Sequence, residues 1–237
     1  MRLLVFQHHV DEHPGQLRTY LAEDGVTWDA VELDAGETIP DLEPYDMLWV
    51  LGGPMDVWDV ADNPWLVPEK RAIRKWVTEL QRPFFGLCLG HQLLADALGG
   101  TCGPMGVPEI GVCEVELTGE GLTDPFYAGM DRKQTCLQWH SVQVAQPPEG
   151  AVVLASSPTC PVQAMRVGPK AWSTQYHVEV EPDTVDNWLA IPAYHAALIK
   201  TLGPEAVDEM RERAKSEMAN FNAASRKLYQ NFKTAIG

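Results

Sequence analysis

The chain has 237 residues, 33 of them Asp or Glu and 18 Lys or Arg, for a formal net charge of −15. That sign repels phosphate backbones and anionic lipid over most of the surface, so neither nucleic acid nor a membrane is an expected partner. The length suits one large α/β body with a buried core, read as residues 1–200, with a helical extension over 201–237 packed on it.

No apolar run approaches the roughly 20 residues that span a bilayer. The stretch "MRLLVFQ" ahead of His8 is too short for a secretory h-region, and a cytoplasmic location is expected. The cysteines, Cys88, Cys102, Cys113, Cys136 and Cys160, are odd in number and contain no C-x-x-C. Neither a disulfide framework nor a zinc knuckle follows from them, and the last four read as apolar packing.

In chain order, short apolar or alternating runs closed by turn residues predict strands at 2–6 (RLLVF), 29–33 (DAVEL), 46–53 (DMLWVLGG) and 83–87 (PFFGL). Between them, 15–25 and 64–81 carry apolar residues at helical spacing. The alternation predicts an α/β fold with an open, mostly parallel sheet flanked by helices. A helix from near His91 stops at Gly99-Gly100, and further strands are expected near 112–117, 151–155, 161–167 and 171–176, with more antiparallel pairing in this half. From Pro204 onward Val207, Met210, Ala214, Met218, Phe221, Leu228 and Phe232 recur at helical intervals, predicting one long amphipathic helix whose stripe packs on the same chain.

The stretch "FFGLCLGHQ" places Cys88 between Gly86 and Gly90 at a strand-to-helix turn. In open parallel sheets the ligand crevice lies at the carboxyl ends of the strands, where this turn falls. Small residues two before and two after a nucleophile are what a tight elbow requires. The N-terminus of the following helix favours a thiolate and offers N–H groups to an oxyanion. By itself the pattern is a modest signal and favours a buried structural cysteine until a base is found.

A thiolate that attacks an amide needs an imidazole, and the imidazole needs an orienting group. His91, three residues past Cys88, should point away from the thiol and reads as structural; His195 reads as an ordinary helix residue. In "QYHVEV", His177 and Glu179 are two apart at extended spacing, hence on one side, so Glu179 can hold one ring nitrogen while the other faces a thiol.

Together "VLGGPMDVWD", "GLCLGHQ" and "QYHVEV" resemble the class I, triad-type glutamine amidotransferases, especially stand-alone members similar to the amidotransferase domain of GMP synthetase. The resemblance covers roughly residues 1–185 and implies a flavodoxin-like fold with a Cys88–His177–Glu179 triad. It assigns the oxyanion donors to the Gly53 and Leu89 N–H groups, and substrate contacts to Gly52, Gln92 and a loop around Trp139, Ser141 and Val142. Val178 departs from the commonest family pattern, which has proline there.

Two stretches remain. "QHHVDEHPG" gathers His8, His9, Asp11, Glu12 and His13, but neither the spacing nor a supporting pattern favours a metal, and none is expected. Glu109 in "PEIG" reads as a solvated loop carboxylate, with contact to a substrate amino group as the alternative. The implied reaction is hydrolysis of the glutamine side-chain amide through a thioester, with no cofactor. The chain contains no G-x-x-x-x-G-K-[ST] and no S-G-G-x-D-S loop. Any ammonia acceptor would therefore belong to a synthetase partner on another chain. The alternatives are a stand-alone γ-glutamyl peptide or amide hydrolase and a non-catalytic thiol sensor of related fold; the His177-x-Glu179 pair and the GGP loop argue against the last.

Overall fold

Leu3 and Val5 join the core on one side of the first strand, Leu4 and Phe6 the core on the other, and all four are fully buried. That is the pattern of a strand covered on both faces. The computed structural model describes residues 1–237. In chain order the elements are β1 (Arg2–Gln7), α1 (Leu17–Glu23), β2 (Thr27–Glu32), β3 (Met47–Val50), α2 (Leu66–Lys75), β4 (Phe84–Leu87), α3 (Leu89–Ala97) and β5 (Thr101–Leu117). They continue as α4 (Gly119–Thr123), β6 (Lys133–Gln146), β7 (Ala151–Ser156), β8 (Ala164–Val167), β9 (Ala171–Thr174), α5 (Thr184–Ala190), α6 (Pro192–Leu202) and α7 (Ala206–Ile236).

All nine strands form one sheet, ordered β2-β1-β3-β4-β9-β8-β7-β5-β6. Pairing is parallel from β2 through β9 and antiparallel from β9 to β6. This is the expected flavodoxin-like α/β arrangement, with its antiparallel strands in the second half. On one face α1 and the end of α7 cover Trp49, Phe85 and Trp172; on the other, α2 and α3 cover Leu48, Val50 and Phe84. Phe232 of α7 sits with its ring centroid 5.9 Å from those of Phe85 and Trp172. A third cluster joins α5, α6 and the first half of α7 to Trp139 and Leu137 of β6.

Several element bounds differ from those read in the sequence. The strand expected at 112–117 is the end of the much longer β5, and 137–144, read as a loop, lies in β6 paired antiparallel with it. Polar Gln and His residues in 137–144 hid a strand whose side chains are mostly buried. The helix expected over 64–81 is regular only to Lys75; a wider π turn follows at Trp76–Leu80, where the buried Trp76 indole donates to the Pro83 carbonyl at 3.0 Å. Helix α3 starts at Leu89, two residues earlier than expected, because Cys88 itself caps it.

Candidate active site

Strand β4 is flanked by β3 and β9, and its register sets Gly86 beside Val50 and Ser173. At its end the Cys88 N–H donates to the Thr174 carbonyl at 2.8 Å, and the chain turns with Cys88 at φ 51° and ψ −102°. A non-glycine residue there stores strain of about 1–3 kcal/mol, which the flanking packing maintains. A methyl group on Gly86 would lie 2.6 Å from the Gly90 carbonyl oxygen, and one on Gly90 would lie 2.0 Å from the Val50 carbonyl oxygen. Only glycine fits either place, so the elbow requires G-x-C-x-G as a unit.

Beyond β9 the chain runs beside β6, where the His177 and Leu137 backbones exchange hydrogen bonds of 2.9 Å. His177 Nδ1–H donates to Glu179 Oε1 at 2.5 Å, and the Val178 N–H donates to Glu179 Oε2 at 2.9 Å. A proline at 178 could not make that second bond, so the departure at Val178 adds a donor that fixes the carboxylate. The Trp188 ring stands edge-on to His177 at 4.7 Å. The Gln16 N–H holds the Glu179 carbonyl at 2.8 Å, and a methyl group on Gly15, at φ +52°, would fall 2.0 Å from that same oxygen. Burial alone would lower the His177 pKa, but the Glu179 carboxylate and the nearby Cys88 side chain raise it well above its ordinary value. The shift favours the imidazolium form of His177.

Cys88, Gly53, Leu89, Gln92, Trp139, Ser141 and Val142 line one open cleft; Gly52, next to Gly53 in the chain, is buried. Asp56 and Asp59 also line it, and no Lys or Arg does. The N–H groups of Gly52, Gly53 and Leu89 donate to no group of the protein although all three residues are buried. Buried backbone donors are nearly always paired, so such a set beside a thiol is suited to an incoming oxygen.

Behind the thiol, Gln175 Nε2 donates to Cys88 Sγ at 3.5 Å, and its Oε1 accepts from Gln92 Nε2 at 3.0 Å. Gln92 also donates to the Val142 carbonyl at 3.3 Å, so its amide supports the elbow as well as lining the cleft. Gln175 was missed in the sequence, although the alternation that pairs His177 with Glu179 puts it on the same side. Trp139 Nε1 donates to the Tyr194 carbonyl at 3.2 Å.

Glu109 is not a solvated loop carboxylate: it lies in β5, mostly buried, and accepts from His140 Nε2 at 3.0 Å, Ser157 Oγ at 2.5 Å, Thr159 and Gln163. Burial would raise its pKa, but the bonds from His140, Ser157 and Thr159 prevail and hold it down at about 2. Through His140 Nδ1, 2.8 Å from the Val142 carbonyl, it braces the cleft wall.

The His-rich stretch after β1 divides. His8 and Glu12 turn inward, whereas His9 is partly exposed beside Asp11 at 3.5 Å and His13 lies 3.9 Å from Glu181. Glu12 accepts from the Tyr194 hydroxyl, and burial pushes its pKa up to about 7 against the lowering effect of His177. Neither Glu12 nor Tyr194 was singled out as a site residue, and nothing in the spacing of 182 residues links them. His91 is buried between Ser173 Oγ at 2.8 Å and the Val162 carbonyl at 3.2 Å, and burial holds its pKa down at about 3. His195 is exposed on α6.

The family described as glutamine amidotransferase class-I matches residues 13–190. The chain belongs to that family. It is 33% identical over 198 residues to the glutamine-hydrolyzing GMP synthase of Aeropyrum pernix, covering 81% of this chain but only 35% of that protein. Against one subunit of the glutamine-hydrolyzing GMP synthase of Sulfolobus acidocaldarius it is 31% identical over 154 residues, 65% of this chain and 77% of the relative. A crystal structure of a glutamine amidotransferase from Thermotoga maritima superposes with a TM-score of 0.86 at 26% identity, covering 98% of this chain and 97% of the other.

Proposed function

We propose that the chain hydrolyses the side-chain amide of glutamine through a Cys88–His177–Glu179 triad. The Cys88 thiolate attacks the γ-carbonyl carbon, and the oxyanion is received by the Gly53 and Leu89 N–H groups. His177, held by Glu179, gives its proton to the nitrogen as the C–N bond breaks and ammonia leaves. His177 then takes a proton from water, which attacks the thioester carbonyl and releases glutamate and the thiolate. The observation that supports this most is a cysteine on a strained elbow and unpaired N–H donors at one cleft, with the carboxylate-held imidazole of His177 electrostatically coupled to that cysteine.

In this reading Gly52, Gln92, Trp139, Ser141 and Val142 bind the substrate. Ammonia passes to an acceptor site on a synthetase partner, as the likeness to a GMP synthase subunit suggests. No cofactor is needed for the steps as written. No helix is long and apolar enough to cross a membrane, and a cytoplasmic setting is part of the proposal. A second reading, a γ-glutamyl peptide or amide hydrolase acting alone, is favoured by the openness of the cleft and by donors already unpaired within it.

Steady-state kinetics on glutamine and γ-glutamyl dipeptides test both. Cys88→Ala is expected to abolish cleavage while the fold survives, and covalent labelling of Cys88 by a glutamine chloromethyl ketone should be lost in His177→Ala. Near wild-type turnover in Cys88→Ala would remove the thiol from the mechanism. Fast peptide cleavage with poor use of glutamine would favour the second reading.

A further inference from the structure

His8 follows β1 directly and is wholly enclosed, as is Glu69 of α2. Its Nδ1 lies 2.8 Å from the Gly52 carbonyl oxygen and its Nε2 lies 2.8 Å from Glu69 Oε1. The Gly52 carbonyl can only accept, so Nδ1 carries hydrogen and donates to it, while Nε2 pairs with Glu69. Burial opposes the charge, but Glu69 and the Gly52 carbonyl outweigh it, and the His8 pKa is raised. The Trp65 ring stacks on the imidazole at 5.4 Å and 15°, fixing its plane.

We propose that His8, anchored by Glu69, is a positioning residue that clamps the Gly52–Gly53 peptide with its N–H committed to the cleft, so that the amide-cleaving site is assembled in the chain by itself. In a trans peptide the C=O and N–H point in opposite directions. With the Gly52 oxygen bound by His8, the Gly53 N–H is turned away from His8, and Gly53 lines the cleft beside Cys88 and Leu89.

The peptide is also wedged. A methyl group on Gly53 would meet His8 Cβ at 2.8 Å and Leu89 Cδ2 at 2.9 Å, and one on Gly52 would meet Glu12 Oε2 at 2.3 Å. Reversing the peptide would leave a buried ring N–H without an acceptor and set a carbonyl oxygen where the oxyanion must form. Both changes are unfavourable. An amidotransferase that waits for its partner needs a loop free to misalign; this loop is fixed by groups of its own chain.

The inference rests on the triad reading, and the test separates the two. In a Glu69→Gln background, which leaves no unpaired carboxylate, His8→Asn keeps a donor at the Nδ1 position and His8→Leu of similar shape has none. His8→Leu is expected to lower kcat for γ-carboxamide cleavage by about 100-fold, the order seen for loss of one oxyanion donor, with KM changed only a few-fold. His8→Asn should recover at least tenfold of that. Affinity for glutamate γ-semialdehyde, which forms a tetrahedral adduct on the thiol, should fall in step with kcat, while alkylation of Cys88 by iodoacetamide keeps its wild-type rate. If His8→Leu does not fold, His8→Asn decides alone: it must retain turnover within tenfold of Glu69→Gln. Equal losses in the Asn and Leu variants, or a loss confined to KM, overturn the clamp. So does a wild-type chain that is labelled at Cys88 by the chloromethyl ketone yet cleaves neither glutamine nor γ-glutamyl amides. A wild-type chain that is neither labelled nor active overturns the triad reading itself.

Discussion

Glu12 offers a measurable electrostatic cost. It is 4% exposed, its Oε1 accepts from Tyr194, and burial pushes its pKa from 4.5 up to about 7. Below pH 4.5 the folded and unfolded chains both hold the proton, and the group costs nothing. Between pH 4.5 and 7 the unfolded chain gives it up while the folded chain retains it, so stability falls as pH rises; above about pH 7 the penalty is constant. A gap of about 2.5 pH units at ~1.4 kcal/mol each makes the full penalty about 3.5 kcal/mol. Glu12→Gln keeps an oxygen for Tyr194 and has no charge to lose, so it escapes the penalty. Urea unfolding of both proteins from pH 4.5 to 8 reads the effect, because titrating groups remote from Glu12 cancel in their difference. The variant should gain on wild type by about 3.5 kcal/mol across that range. A difference that stays flat with pH would refute the argument and mean that Glu12 ionises in the folded chain as readily as in water.

Two further outcomes follow from the geometry around His177. His177→Ala should lower kcat by about a thousandfold or more, whereas Glu179→Gln, which exchanges a charge-assisted bond for a neutral one at a cost of about 2 kcal/mol, should lower it about 30-fold; equal losses on glutamine turnover would show that Glu179 does more than orient. Gly15→Ala combines left-handed strain of ~1–2 kcal/mol with overlap on the Glu179 carbonyl worth ~1–3 kcal/mol, which should lower Tm by about 5–15 °C in calorimetry and reduce kcat in the same protein. An unchanged Tm would show that the turn relaxes without strain.

The parallel half of the fold was legible because its strands are apolar runs set between amphipathic helices, as in RLLVF and PFFGL. The elbow was legible for the same reason that it is strained: only glycine tolerates the approach of Val50 to residue 90, so the constraint is written in the residue types. Strand β6 was not, because Gln134, Gln138 and His140 are buried polar residues within it, and their burial depends on pairing with β5 rather than on any local pattern. Glu109 was misread for a related reason. Its partners Ser157, Thr159 and Gln163 lie 48 to 54 residues away, and nothing near Glu109 in the chain announces them. His8 and Glu12 were seen but weighed only as metal ligands; that they turn inward toward Glu69, Gly52 and Tyr194 is decided by tertiary contacts.

The thiol sits at the end of β4 and the imidazole just past β9, and the two strands are neighbours in the sheet although residues 101–170 intervene in the chain. That intervening stretch supplies β5 to β8, all of them antiparallel, and Leu137 of β6 holds the His177 backbone. Long-range pairings of this kind form late in folding. During synthesis β1 to β4 can pair around Cys88 before His177 and Glu179 have left the ribosome. In the proposed mechanism the thiol then lacks its imidazole, and amide cleavage waits until β9 takes its place beside β4.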